Sequence, residues 1–401
     1  SGASFEQICA EILHLYTDLP VVVLAAMAER AFKDFNGGEA PPLPITKVGN
    51  LLFLDASLGP TLAFKDIGQQ MVGQLLSYYL GRSGKKANIV IDTSGDTGPA
   101  AIAAVSHCNT ARIFCLYPEG RVSAIQELQM TTVSSSNVHV YQTEGDNDDQ
   151  SSVLKEIFED RDFVAAHDIC SINSINWARI AVQSTYYVWA YLQVYNTSLS
   201  IGLNIVFSVP TGAFGNAMGG YLAQMMGLPI GRILCATNAN DIVHRTISKG
   251  DMSMGPNVGT HSPAMDIQFA YNVERMLFYM SNQDPVLTSS IMREVDLQFS
   301  QQAESSGAQL DPLLLRRIQS LFSSCSVSDV ETLATIQRTE REHGFPLCPH
   351  SAIGVYAAQT IFRNLTESTP TVCVLTANPA KFERAFEAAT GGKPVVRDDV
   401  R

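Results

Sequence analysis

From about residue 87 onward, strand-length apolar runs alternate with segments of helical spacing. NIVID (88–92) leads into TGPAAIAAVS, ARIFCLYP (111–118) into the amphipathic SAIQELQMTTV, and NVHVYQTEG (137–145) into DQSSVLKEIFED. LNIVFSVP (203–210) precedes NAMGGYLAQMMG, RILCATN (232–238) precedes NDIVHRTISKG, and TVCVLTANP (371–379) precedes AKFERAFEAAT. Each run is closed by turn residues and followed by a helical period. That rhythm predicts βα units, an α/β fold whose parallel strands lie beneath covering helices.

Two stretches depart from the rhythm. Residues 281–344 are polar, charged and helical in pattern, with a loose QQAESSGAQLDP (301–312) in their middle, so an appended helical segment is expected there. Near the start, VVVLAAMA (21–28) follows Glu6, Glu11 and Asp18 rather than a basic segment, and it reads as a packed helix, not a signal-peptide core. No apolar run approaches the length of a transmembrane helix.

Composition narrows the picture. With 401 residues, 46% apolar and 16% charged, the chain is globular and has room for two or three domains. A formal charge of −12 argues against nucleic-acid or anionic-membrane partners, while leaving room for a local cationic pocket. The eight cysteines show neither C-x-x-C nor zinc-finger spacing and sit among apolar neighbours. Buried reduced thiols, no metal centre and a cytoplasmic location are the expectation.

In α/β sheets ligands gather where strands end and helices begin, so the turns carry the candidate chemistry. In LGPTLAFKDIGQQ (58–70), Lys65 interrupts an apolar run where a helical pattern starts. It either snorkels to water or is desolvated, and a desolvated lysine is a nucleophile for carbonyls. Three turns are built to receive anions. VPTGAFGNAMGG (209–220) puts glycines at a helix start, without a P-loop or dinucleotide spacing. DTSGDTGPA (92–100) offers hydroxyls and free backbone donors, although Ser94 or Asp96 could simply cap the following helix. SINSINWARIAVQ (171–183) sets Asn173, Ser174 and Asn176 ahead of Arg179, with Ser174 an adequate cap and Arg179 a fork for an anion.

GPTLAFKD, TSGDTG, RVSAIQELQMTTV, SINSINWAR, VPTGAFGN, ATNANDI, SPAMDI, PHSAIGVYA and TANPAKF occur in this order over nearly the whole chain. Together they resemble the threonine synthase family, pyridoxal-phosphate enzymes of the tryptophan-synthase-β fold type (fold type II). NDIVHRTISKGDMS, AMDIQ, YNVER and LCPHSA are similar to its threonine synthase-like phospho-lyase branch. The resemblance implies two parallel-type sheets. The expected division is a large cofactor-binding domain, 1–86 with 180–401, and a smaller α/β domain, 87–179.

The resemblance also implies roles. Lys65 would bind pyridoxal 5'-phosphate covalently. Gly212, Ala213, Phe214, Gly215 and Asn216 would hold its phosphate, and Thr376 would partner its ring nitrogen. Thr93, Ser94, Gly95, Asp96 and Thr97 would receive the substrate carboxylate, with Asn173, Ser174, Asn176 and Arg179 near a departing phosphate. The chain differs from the family pattern at Leu58, usually histidine, at Asp92, usually a small residue, and at Asn378, usually histidine; the family's N-terminal segment looks shortened. The implied activity removes phosphate from a small phosphorylated amino acid such as O-phosphohomoserine or phosphothreonine. Threonine synthesis, or a binding or signalling role in a degenerate relative, are the alternatives. A monomer or homodimer is expected.

Overall fold

The computed structural model describes residues 2–145, 147–198, 204–299 and 308–394. Its strands are β1 (Ile45–Val48), β2 (Leu51–Asp55), β3 (Ala87–Asp92), β4 (Ala111–Pro118), β5 (Val138–Thr143), β6 (Ile169–Cys170), β7 (Ile205–Pro210), β8 (Ile230–Thr237), β9 (Phe322–Ser326) and β10 (Thr371–Leu375). They form a six-stranded sheet in the order β1-β2-β10-β7-β8-β9 and a four-stranded sheet in the order β5-β4-β3-β6. All pairings are parallel except the β1–β2 hairpin. The α/β class with two helix-covered sheets is therefore the observed one, and each of the six strand-length runs of the alternating pattern contributes a strand.

Burial explains the order. Every residue of β7 and β10 is buried, as continuous apolar runs require when both sheet faces are covered. The edge strand β1 keeps its middle residues exposed. In the 281–344 segment, helices span Pro285–Phe299, Pro312–Leu321 and Asp329–His343, while 300–307 lie outside the described residues. The segment is not wholly helical: Phe322–Ser326 adds β9 to the large sheet beside β8. Its sequence, FSSCS, lacks a strand pattern because an edge strand needs few apolar positions. VVVLAAMA lies in the helix Val21–Phe32, which buries Leu24, Met27, Ala28, Ala31 and Phe32. No described helix is long and apolar enough to cross a membrane.

Helix Lys65–Ser83 links the sheets. Its Ile67, Met71 and Leu75 belong to the core around the large sheet. Val72 belongs to the core around the small sheet, with Leu76 and Leu80 packed against it. A helix apolar on two faces is one with packing on both sides. Lys65, its first residue, is thereby set between the two sheets.

The helix Thr97–Val105 comes close to the helix Lys65–Ser83 at Gly73, where an added Cβ would stand 2.6 Å from the Ala104 carbonyl oxygen. Gly73→Ala should therefore destabilise the protein by about 1–3 kcal/mol, the usual range for overpacking, although alanine is the better helix former. Denaturant midpoints of wild type and variant measure this; equal or greater stability of the variant would contradict the close packing.

Candidate active site

Lys65 is fixed by backbone pairing. Ala63 forms an antiparallel bridge with Ala377, the Phe64 N–H donates to the Thr376 carbonyl at 2.8 Å, and the Asn378 N–H donates to the Leu62 carbonyl at 3.0 Å. Leu62 takes the left-handed conformation (φ 61°), which turns the chain into the helix. Asp66 closes this turn by accepting from the Thr61 N–H at 2.8 Å and the Thr61 hydroxyl at 2.7 Å. Burial pushes the Asp66 carboxyl up to about 6, against the Thr61 hydrogen bonds and the Lys381 charge.

The same stretch thus aligns Lys65 with Thr376, and both line one cavity. Some Lys65 surface faces the cavity, but protein surrounds it on all sides. Burial brings its amine down to about 8, with Arg179 and Lys381 pushing the same way and Asp96 and Asp92 opposing. A substantial neutral fraction near pH 8 makes Lys65 a competent nucleophile.

The turn after β7 supplies a further part of the lining. Gly212, Ala213, Phe214, Gly215 and Asn216 all line the cavity, and the helix Gly215–Met225 starts there. Phe214 has φ 67°, unusual for a bulky residue; its buried ring packs on Phe322, centroids 5.3 Å apart, and holds the turn. Gly215 admits no side chain freely, since a Cβ would meet Ile180 at 3.2 Å and Asn272 at 3.3 Å. The Asn216 side-chain oxygen accepts from the Tyr186 hydroxyl at 2.5 Å and the Tyr187 hydroxyl at 2.7 Å. Its Nδ2 is buried without a partner, as is the Thr376 hydroxyl. Two orphaned polar atoms on the wall of a cavity that holds an unpaired lysine are what a polar cofactor would satisfy.

The turn after β3 brings Thr93, Ser94, Asp96 and Thr97 to the cavity. The Thr93 hydroxyl accepts from Gly95 and Gly98 N–H, both at 3.0 Å, and braces the turn. Gly95 itself (φ 139°) is in the turn but does not line the cavity. Asp96 makes no side-chain cap; it forms an ion pair with Lys381 at 2.8 Å and accepts from Gln126 at 2.8 Å. Burial would raise Asp96, but Lys381 and Lys65 hold its carboxyl well below the usual range. As an ionised acceptor, Asp96 positions Lys381, which leaves Ser94 and Thr97 as the turn's hydroxyl donors toward the cavity.

Of the third turn, Ser174 and Arg179 line the cavity; Asn173 and Asn176 do not. Asn176 serves the helix Trp177–Ser198, accepting from the Ala178 N–H at 3.1 Å. Asn173 donates its amide to Asp92. Ser174 donates to the Tyr271 hydroxyl at 3.0 Å and accepts from Asn272 at 2.9 Å. Arg179 is 1% exposed. Its guanidinium donates to the Ile172 carbonyl at 3.1 Å, while Nε is buried without a partner. Among the described residues no carboxylate pairs with Arg179, and burial brings it down to about 10.

Sequence reasoning passed over two residues of this site. His350 lines the cavity, and burial brings it down to about 4, with Lys65 and Lys381 pushing the same way against Asp96. The ring is neutral, and because Nε2 accepts from the Ala264 N–H at 3.1 Å, the proton belongs on Nδ1, which has no partner. Lys381 also donates to the Thr61 carbonyl at 2.8 Å. Both stand inside motifs quoted above, PHSAIGVYA and TANPAKF, but nothing local in those strings marks their partners. Of the three departures from the family pattern, Leu58 and Asn378 do not line the cavity, Asn378 accepting from the Ala380 N–H at 2.9 Å; Asp92 does line it.

The chain matches the family model for pyridoxal-phosphate dependent enzymes over residues 39–290 and the model for the threonine synthase C-terminal region over residues 351–401. It is 38% identical over 387 residues to threonine synthase-like 2 of Xenopus laevis, covering 96% of this chain and 79% of that one. With threonine synthase-like 2 of Homo sapiens the identity is 40% over 374 residues, covering 92% and 75%. The solved structure of pyridoxal-phosphate-bound threonine synthase from Brucella melitensis superposes with a TM-score of 0.89 at 37% identity, covering all of this chain and 83% of that one. The unpaired Lys65, the cradle 212–216 and the orphaned Thr376 hydroxyl fit that cofactor, and the chain belongs to the pyridoxal-phosphate-dependent enzymes, among the threonine synthase-like proteins.

Proposed function

We propose that the protein is a phospho-lyase acting on a small O-phosphorylated amino acid such as O-phosphohomoserine or phosphothreonine. The observation that carries this reading is Arg179: a buried guanidinium without an anionic partner, on the wall of the cavity that holds Lys65. An uncompensated buried cation is costly, and a phosphate matches its bidentate donor geometry.

The cofactor, when bound, supplies an electron sink for the bond changes next to the amino group. Lys65 would hold it covalently, the backbone N–H groups of 212–216 its phosphate, and Thr376 its ring nitrogen. The hydroxyls of Ser94 and Thr97 would orient the substrate carboxylate. For O-phosphohomoserine, Lys65 would move protons at Cα and Cβ, and Arg179 would receive the phosphate that leaves Cγ. O-phosphohomoserine plus water would give 2-oxobutyrate, ammonia and phosphate. The free cysteines support a reducing, cytoplasmic setting; a monomer or homodimer remains the expected assembly.

A second reading, threonine synthesis by addition of water at Cβ, draws support from the C-terminal family match and the Brucella melitensis structure. Incubation with O-phosphohomoserine, assaying phosphate, 2-oxobutyrate and threonine together, separates the two. Phosphate with 2-oxobutyrate supports the lyase, phosphate with threonine replaces it, and no phosphate rejects both.

Lys65→Ala should lose the visible absorbance of covalently bound cofactor and all phosphate release while keeping the circular dichroism of the wild type. Full turnover in the variant would remove Lys65 from the centre of the chemistry. The pH dependence of cofactor uptake follows from the amine. Only neutral Lys65 attacks an aldehyde, so the rate of covalent uptake by apoprotein should rise with pH through about 8 and then level off. A midpoint near 10.5, the ordinary lysine value, would show that burial does not tune this amine. Arg179→Ala should lower kcat/KM for O-phosphohomoserine by about 10- to 100-fold, the worth of one or two charge-assisted hydrogen bonds. Threonine turnover should fall much less, and equal losses on both substrates would take Arg179 out of the phosphate site.

A further inference from the structure

Asp92 puts a carboxyl group on the lining of the cavity that holds Arg179. It ends β3, is 5% exposed, and accepts hydrogen bonds from the Ser151 hydroxyl on one oxygen and the Asn173 amide on the other. Asn173 is thereby drawn away from the cavity, and its own side-chain oxygen is left buried without a partner. The anion fork of this turn is reduced to Arg179 and Ser174, and the Asp92 carboxyl lines the same cavity.

We propose that Asp92 makes phosphate binding proton-coupled: the phosphorylated substrate binds together with one proton, held between its phosphate and the Asp92 carboxyl, so that Asp92 sets which anionic state the site accepts. This rests on the reading of Arg179 as the phosphate contact. Two like charges sharing a site cannot both stay ionised at no cost, and a proton between them turns repulsion into a hydrogen bond. A phosphate monoester loses its second proton near pH 6, so the ester itself can bring the shared proton close to neutrality.

Among the described residues, the surroundings give the carboxyl no adequate counter-charge. Lys65 acts on it from the helix Lys65–Ser83, while Tyr271 and Cys115 feel it as neutral groups. Arg179, Asp96 and the neutral His350 share the cavity. Helix Thr97–Val105, packed on β3, carries no ionisable side chain, and Cys170 is the one such group on β6. On the helix Asn147–Glu159, which brings Ser151, Asp148 accepts from the Gln268 N–H and Asp149 lies against Gly145; Lys155, Glu156 and Glu159 are exposed. Burial therefore dominates and pushes Asp92 up, with the Ser151 and Asn173 hydrogen bonds only partly opposing it.

The test is calorimetric titration of holoenzyme with inorganic phosphate, in two buffers of different ionisation enthalpy, for wild type and Asp92→Asn. Asparagine keeps the shape and the acceptor for Asn173 but cannot take the proton. At about pH 8 the variant should bind phosphate about 10-fold more tightly or better and take up about one proton fewer, the two affinities converging as the pH falls. KM for O-phosphohomoserine should shift in parallel, with kcat changing less. Equal phosphate affinities and equal proton uptake would overturn the inference, making Asp92 a brace for Ser151 and Asn173 while the anion site stands. No phosphate binding by either protein would overturn the phosphate reading itself, and Asp92's role with it.

Discussion

The buried pair of Asp96 and Lys381 is the constraint on which the site depends. It joins the turn after β3 of the small sheet to the turn after β10 of the large one at 2.8 Å, with both side chains removed from solvent. Each partner has a further contact: Lys381 reaches the Thr61 carbonyl beside the Lys65 helix, and Asp96 receives Gln126 from the helix Ala124–Thr131. Buried ion pairs of this kind contribute little net stability, because desolvation offsets most of the attraction. Their effect is on register, since any relative slide of the two turns would expose an unpaired charge at a cost of about 3–5 kcal/mol. Four chain segments distant in sequence are thereby aligned around Lys65.

The pair also shapes the electrostatics felt by the rest of the cavity. Lys381 is neutralised by Asp96 and so does not act as a free cation on a ligand. Among the described residues that line the cavity, Arg179 is left as a cation without a counter-ion, and Lys65 as the amine that burial brings near neutrality at about pH 8. A protein of formal charge −12 can thus present a locally cationic cavity, because surface carboxylates beyond about 8–10 Å are largely screened at physiological salt while buried charges are not.

Much of this was legible in the sequence, for identifiable reasons. Parallel strands buried on both faces announce themselves as continuous apolar runs, and turns with glycines or hydroxyls follow them. Lys65 stood out because a cation inside an apolar run violates a local rule. What failed to show depends on distant partners. Asn173 and Asn176 are the same residue type three positions apart, yet one caps its own helix while the other is claimed by Asp92, 81 residues away. Leu58, Asp92 and Asn378 are equivalent as departures from a motif, and only the folded chain shows that Asp92 alone of the three faces the cavity. β9 was hidden because FSSCS has no apolar alternation, and His350 because a histidine in a motif does not reveal whether its ring is buried.

The placement of Lys65 at the first position of its helix adds a physical reason for its reactivity beyond burial. Helical side chains lean back toward the N-terminus, where unpaired N–H groups concentrate positive partial charge. A charged ammonium there is repelled by the helix end, and the neutral amine is not. Asp66, in the first turn, is the residue that could have cancelled this, but both of its oxygens are committed to Thr61. The carboxylate fastens the turn that presents Lys65 and forms no ion pair with the amine. Because the same helix is packed into both cores, through Ile67 and Met71 on one side and Val72 on the other, the amine cannot swing toward solvent to regain its charge without disturbing both sheets.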